Sequence, residues 1–193
     1  MPEQIRDGRG RGNLATVNSD GQIITRATAI PQHTKSSVDG NYYEAYTGKV
    51  TLVDAVERGI IYLDNQDPSD YIIIDKVFVD VWASTGGVGG GTITYYKNPD
   101  ITGGTAIVPV NTNFSKSEGL EGTQLRTLTT MLGGTQWWEG YFEPSSSIVI
   151  NEEKFCIPPG YDFGISITPP AGNTSMDINV NVAFYLLDVD LLA

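Results

Sequence analysis

From residue 42 to residue 187 the chain is a succession of β-branched and aromatic runs, and apolar spacing of three and four residues is scarce. Successive side chains of a strand point to opposite faces, so a period of two confines this stretch to β structure. The longest run, 71–83, is the clearest: Val77, Val79 and Val81 share one face, and Phe78, Asp80 and Trp82 the other. Further runs lie at 49–53, 59–63, 92–97, 105–110, 125–131, 136–142, 147–150, 161–168 and 176–187. The best helical stretch, 53–58, is under two turns. Eight to ten strands joined by loops of uneven length predict an all-β fold, an antiparallel β-sandwich of Greek-key or jelly-roll type, in which each sheet buries one face. No repeat of about 20 to 50 residues recurs, which disfavours a solenoid or a propeller.

A chain of 193 residues can bury one core without a disulfide or a metal. It has one cysteine, Cys156, and one histidine, His33, so neither a disulfide framework nor a zinc site of imidazoles and thiolates can be built. No cofactor is expected. Cys156 lies in Phe155-Cys156-Ile157 and reads as a small buried apolar residue. The formal charge of −11 argues against a nucleic-acid partner. No run approaches the length of a membrane span, and no apolar leader opens the chain, so synthesis in a cytoplasm is the expectation.

The first forty residues differ from the rest. Residues 1–40 carry five basic and four acidic groups, net +1, and residues 41–193 carry seven and nineteen, net −12. This division predicts an extended N-terminal arm, 1–40, followed by a sandwich, 41–193. Within the arm two short β-favouring runs flank Asn18-Ser19-Asp20-Gly21, and Asp-Gly is a strong turn signal, so a hairpin is predicted over about 14–26. A lone two-stranded hairpin is barely stable in water and must pack on its own body, a sister subunit or another protein. Leu14, Val17, Ile23 and Ile24 are its candidates for pairing or burial, and Arg6, Arg9 and Arg11 for docking on an acidic surface. Residues 31–37 read as linker, with a turn at Asp39-Gly40.

Few segments suggest chemistry. Ser84-Thr85-Gly86-Gly87-Val88-Gly89-Gly90-Gly91-Thr92 is rich in glycine, but no G-K-[ST] follows and the next residues favour a strand, so it reads as a link between strands rather than a phosphate loop. A nucleophile relay would have to recruit His33 from a coil, and any convergence among Glu139, Glu143, Glu152 and Glu153 is outweighed by ordinary exposed acids. An enzyme is not expected. Asp64-Asn65-Gln66-Asp67 and Asn98-Pro99-Asp100 carry the oxygens calcium prefers without its loop pattern. Asn113-Phe114-Ser115 and Asn173-Thr174-Ser175 match the glycosylation triplet. In Trp137-Trp138-Glu139-Gly140-Tyr141-Phe142, strict alternation would send Trp137 and Trp138 to opposite faces, leaving one ring for a subunit interface, a loop of its own chain or a ligand. Tyr42 and Tyr43 pose the same choice where arm meets body.

Four segments together resemble virion proteins of tailed bacteriophages: residues 59–65 before a long strand, 98–105 with 109–113, 157–165 before a last long strand, and 12–21 in the arm. The resemblance spans most of residues 12 to 187 and implies a jelly-roll structural protein of the capsid decoration or cement type. It implies a non-enzymatic role on the outer capsid surface of a virion made in the host bacterial cytoplasm. The expected partner is the major capsid protein, bound through the arm, with the body a homo-oligomer, expected to be a trimer; no nucleic acid and no membrane are expected. The alternative reading is a carbohydrate-binding head-fibre or tail/baseplate module that uses the exposed tryptophans.

Overall fold

The computed structural model describes residues 5–6, 14–17, 23–24, 32–87, 90–116, 120, 123–143, 145–150 and 155–188. The chain divides into two compact units, 1–31 and 32–193.

In the first unit β1 (Ile5–Arg6), β2 (Leu14–Val17) and β3 (Ile23–Ile24) form an antiparallel sheet in that order. Thr16 pairs with Ile24 and Val17 with Ile23, which is the hairpin that Asp20-Gly21 signals. The pairing of β1 on β2, Arg6 opposite Leu14, adds a third strand that the sequence did not announce. Arg9 and Arg11 lie outside the described residues.

The second unit opens with a helix where a linker was expected: α1, Gln32–Asp39. Its C-terminus explains the difference. Gly40 has φ +83°, its N–H donates to Ser37 O at 3.2 Å, and Asn41 N–H donates to Ser36 O at 2.8 Å, so Asp39-Gly40 is a left-handed helix cap rather than a free turn. Lys35 and Asp39 add an ion pair one turn apart. The short stretch 53–58 is not helical.

The strands that follow are β4 (Tyr42–Tyr46), β5 (Val50–Leu52), β6 (Arg58–Asn65), β7 (Asp70–Thr85), β8 (Gly91–Lys97), β9 (Asp100–Ala106), β10 (Val110–Asn111), β11 (Thr123–Leu132), β12 (Thr135–Phe142), β13 (Ser147–Ile150), β14 (Phe155–Ile157), β15 (Asp162–Thr168) and β16 (Ser175–Asp188). The predicted run 105–110 divides between β9 and β10. One antiparallel sheet runs β10, β4, β16, β7, β13, with β5 also on β16 and β14 also on β7; the other runs β12, β8, β15, β6, β11, β9. Thus β4 with β5 acts as one interrupted strand, and so does β13 with β14. With the excursion of β9, β10 and β11 set aside, the remaining eight strands lie in the order 1-8-3-6 in one sheet and 2-7-4-5 in the other. That is jelly-roll connectivity.

The core sits between these sheets. Ile61 and Leu63 of β6 face inward beside Ile165 and Phe163 of β15, and Val77, Val79 and Val81 of β7 beside Val182, Val180 and Ile178 of β16; all are at most 3 % exposed. On the far side of β7, Trp82 is 52 % exposed, as alternation requires. Among the described residues no helix is long and apolar enough to cross a membrane.

Candidate functional site

Among the described residues a groove of about 350 Å³, with aromatic, charged and amide groups in its lining, lies at one end of the sandwich. Four pieces of chain build it. The end of β8 and the turn after it bring Lys97 and Asn98; β14 and the Pro158 turn bring Phe155, Cys156 and Ile157; the start of β15 brings Tyr161, Asp162 and Phe163. Trp137 of β12 completes the wall.

A bulge decides where the tryptophans go. Gln136 pairs with Tyr96 and Trp138 with Tyr95, so Trp137 is an extra residue in the ladder. The expectation that Trp137 and Trp138 part to opposite faces is therefore overturned. Both rings reach Tyr95, at centroid distances of 5.8 Å and 4.7 Å. Phe155 packs edge-on to Trp137 at 5.2 Å, and Phe163 lies 4.7 Å from Phe155. Aromatic pairs in these geometries stiffen one another beyond simple burial. Trp137 nonetheless keeps 39 % of its surface exposed, and Lys97 Nζ sits 5.5 Å from its ring centroid.

Tight hydrogen bonding holds the groove's polar rim. Asn98, with φ +48°, donates its N–H to Asp162 O at 3.0 Å and accepts from Asp162 N–H through Oδ1 at 3.1 Å. Asp162 stands opposite Asp64 across the β6–β15 ladder. Its carboxyl pKa is pushed up to about 6, first by burial and then by Asp64 and Asp100, against a hydrogen bond from Tyr62 that opposes the rise. Burial, with help from Asp67 and Asp188, raises Asp70 too. Both groups hold a proton in the folded chain at a pH where the unfolded chain has released it. Stability is therefore expected to fall as pH rises from about 4 to about 6 and to level off above that. Denaturant midpoints across that range measure the slope, and Asp162→Asn should flatten it while raising the midpoint at neutral pH.

Tyr43 is 5 % exposed and stacks on Phe184 at 5.8 Å, so its ring is spent inside its own subunit. Tyr42 stacks on Tyr185 and donates to Asp75 Oδ2 at 2.9 Å. Cys156 is exposed on β14 rather than buried; β14 lies beyond β7 at a sheet margin, and partial desolvation raises the thiol pKa, the opposite of an activated nucleophile. Asn65 and Asp67 use their side-chain oxygens on backbone N–H groups of Asp67, Ser69 and Asp70, which is turn formation. Asn173 is 5 % exposed and donates to Leu52 O and Asp54 O, so its amide is closed to glycosylation. Glu139 accepts from Gln136 Nε2 at 3.1 Å, and Glu152 and Glu153 lie outside the described residues. Sequence reasoning missed Lys97, Phe155 and Tyr161 as groove residues because they come from two strands and a turn and share no local pattern.

The sequence matches no family model and no curated protein. Among solved structures the chain is similar to T=1 particles derived from infectious bursal virus, at 12 % identity and a TM-score of 0.19, over 93 % of this chain and 47 % of that one. A mutant VP2 protein of infectious bursal disease virus gives 12 % identity and a TM-score of 0.19 over 93 % and 48 %, and a VP2 subviral particle 15 % and 0.13 over 100 % and 48 %. The chain spans about half the length of those proteins, and a likeness this slight carries no argument about function.

Proposed function

We propose that the chain is a non-enzymatic virion structural protein of a tailed phage, a capsid decoration or cement protein whose N-terminal arm binds the major capsid protein and whose jelly-roll body forms trimers on the outer surface of the head. The observation that carries the reading is the division of the chain itself. Residues 1–31 make a small β-sheet unit with four basic and three acidic groups, while residues 32–193 close a complete jelly roll with eight basic and twenty acidic groups. Strands of two to four residues make a small sheet that gains most from pairing with, or packing on, another surface. Strand addition to an exposed sheet edge offers such a surface, and Arg6, Arg9 and Arg11 add attraction to an acidic one.

The resemblance to phage virion proteins supports the same reading, because its segments fall on elements that fix the sandwich: β6, the Asn98-Pro99 turn with β9, and the Pro158–Tyr161 turn into β15. In that last turn Gly160 N–H donates to Asn65 O at 2.7 Å and Tyr161 N–H to Pro158 O at 3.2 Å. For the subunit contact, exposed apolar groups are better candidates than Tyr43. Phe114 is fully exposed, Val108 is 80 % and Val38 71 % exposed, and Asn113 Nδ2 ties the Phe114 loop to α1 by donating to Val38 O at 2.8 Å.

The test is co-sedimentation of the intact protein with undecorated heads over a range of salt. Saturable binding that weakens as salt rises is expected from docking by arginines. Absence of saturable binding at any salt would remove the proposal.

A further inference from the structure

We propose that the groove beside Trp137 is a binding site for a neutral saccharide, a capacity separate from attachment to a shell. Three features lead to it. The first is the bulge at Trp137. Without that extra residue the ring would follow strand alternation to the opposite side from Trp138; with it, the ring is turned into the groove and braced there by Phe155 and Tyr95. Bulges that re-aim a side chain are typical of sites where position matters, and a ring held in place loses little freedom on binding. The second is the pairing of apolar faces: Trp137 at 39 % and Tyr161 at 52 % exposure, contributed by different elements to one groove. A pyranose has a C–H face that covers a ring and a girdle of hydroxyls that must be met at the edge.

The third feature is that the edge has donors to meet them. Among the described residues Lys97 Nζ is in no ion pair, and Asn98 uses Oδ1 on Asp162 while its side-chain N–H₂ has no acceptor. A largely apolar hollow with a few convergent polar groups, at the low end of the usual volume range of about 300–1,000 Å³, suits a small ligand. Its compactness favours a sugar over a proline-rich segment, which is read along a run of aromatic ridges. Charge selects within the sugars. The body's net −12, with Asp162, Asp64 and Asp100 grouped near the rim, repels an acidic saccharide more than one Lys97 attracts it.

The experiment titrates the full-length protein, followed by tryptophan fluorescence, with maltotriose, lactose and chitotriose, with oligogalacturonate as the acidic probe and a polyproline peptide as the alternative class. Saturable binding of at least one neutral oligosaccharide is expected, weakened about tenfold or more by Trp137→Ala and by Tyr161→Ala and unchanged by Phe114→Ala. A second readout needs no variant: quenching of the tryptophan emission by acrylamide should weaken when that sugar saturates the native protein, because it covers Trp137, which is 39 % exposed in the free groove. Unchanged acrylamide quenching with every neutral sugar, binding indifferent to both ring substitutions, or capture of only oligogalacturonate or only polyproline would each overturn the proposal. None of these outcomes bears on the arm's role.

Discussion

Alanine in place of Gly91 is expected to cost the fold about 3 kcal/mol or more and to lower Tm by ~10 °C, measured by calorimetry on purified protein. Gly91 opens β8 between β12 and β15, directly opposite Phe142 in the ladder. A Cβ there would stand 2.6 Å from the carbonyl oxygen of Thr168 and would press into the Phe142 ring, itself 2 % exposed. Neither obstacle is the free end of a flexible side chain. Relief requires parting β8 from a neighbouring strand or ejecting a core aromatic, and each is a large share of the ~5–15 kcal/mol that holds a domain together. The glycine-rich segment before β8 thus has a structural reason at its last position: two backbones approach where no side chain fits.

A loss of comparable size, about 3–5 kcal/mol, is expected for Asn65→Ala, read as a shift of the denaturant midpoint with an unchanged slope. Asn65 is fully buried; its Nδ2 donates to Asp70 O at 2.8 Å and Ile157 O at 2.9 Å, and its Oδ1 accepts from Asp67 N–H at 3.2 Å. One amide thus ties the β6–β7 turn to β14. Removing it takes a donor from the buried Ile157 carbonyl and one bond each from Asp70 O and Asp67 N–H at the half-buried turn. Asn65→Asp should be worse than alanine at neutral pH, because a carboxylate cannot donate to either carbonyl and would be buried near Asp64, Asp67 and Asp70. Because Ile157 and Pro158 line the groove, either variant should also speed alkylation of Cys156 before global unfolding.

What was legible in the sequence follows from where the information is stored. The alternation of Val77, Val79 and Val81 is a local code for a half-buried strand, and the structure places it as read. The Asp-Gly signal of the arm hairpin is equally local. Jelly-roll connectivity was legible only as an expectation from many uneven strands, because strand order is set by contacts between distant segments. The failures have the same cause. A single inserted residue at Trp137 reverses a face assignment, and nothing in Gln136-Trp137-Trp138 announces it. Asp39-Gly40 marks a chain reversal in either reading, and only the bonds to Ser36 and Ser37 show a helix ahead of it. Cys156 sits between two apolar residues, yet it occupies the solvent side of a three-residue strand. The groove draws on β8, β12, β14 and β15, so no window of sequence contains it.

In the proposed function the jelly roll gains its hold on a larger shell through the N-terminal unit, residues 1–31. The most direct measurement compares the affinities of the full-length chain and of residues 32–193 for undecorated heads, after checking that both give the same cooperative unfolding of the body. The account predicts saturable attachment of the full-length chain and at least a hundredfold weaker attachment, about 2.7 kcal/mol, once the first 31 residues are gone. Equal attachment by the shortened chain would contradict it.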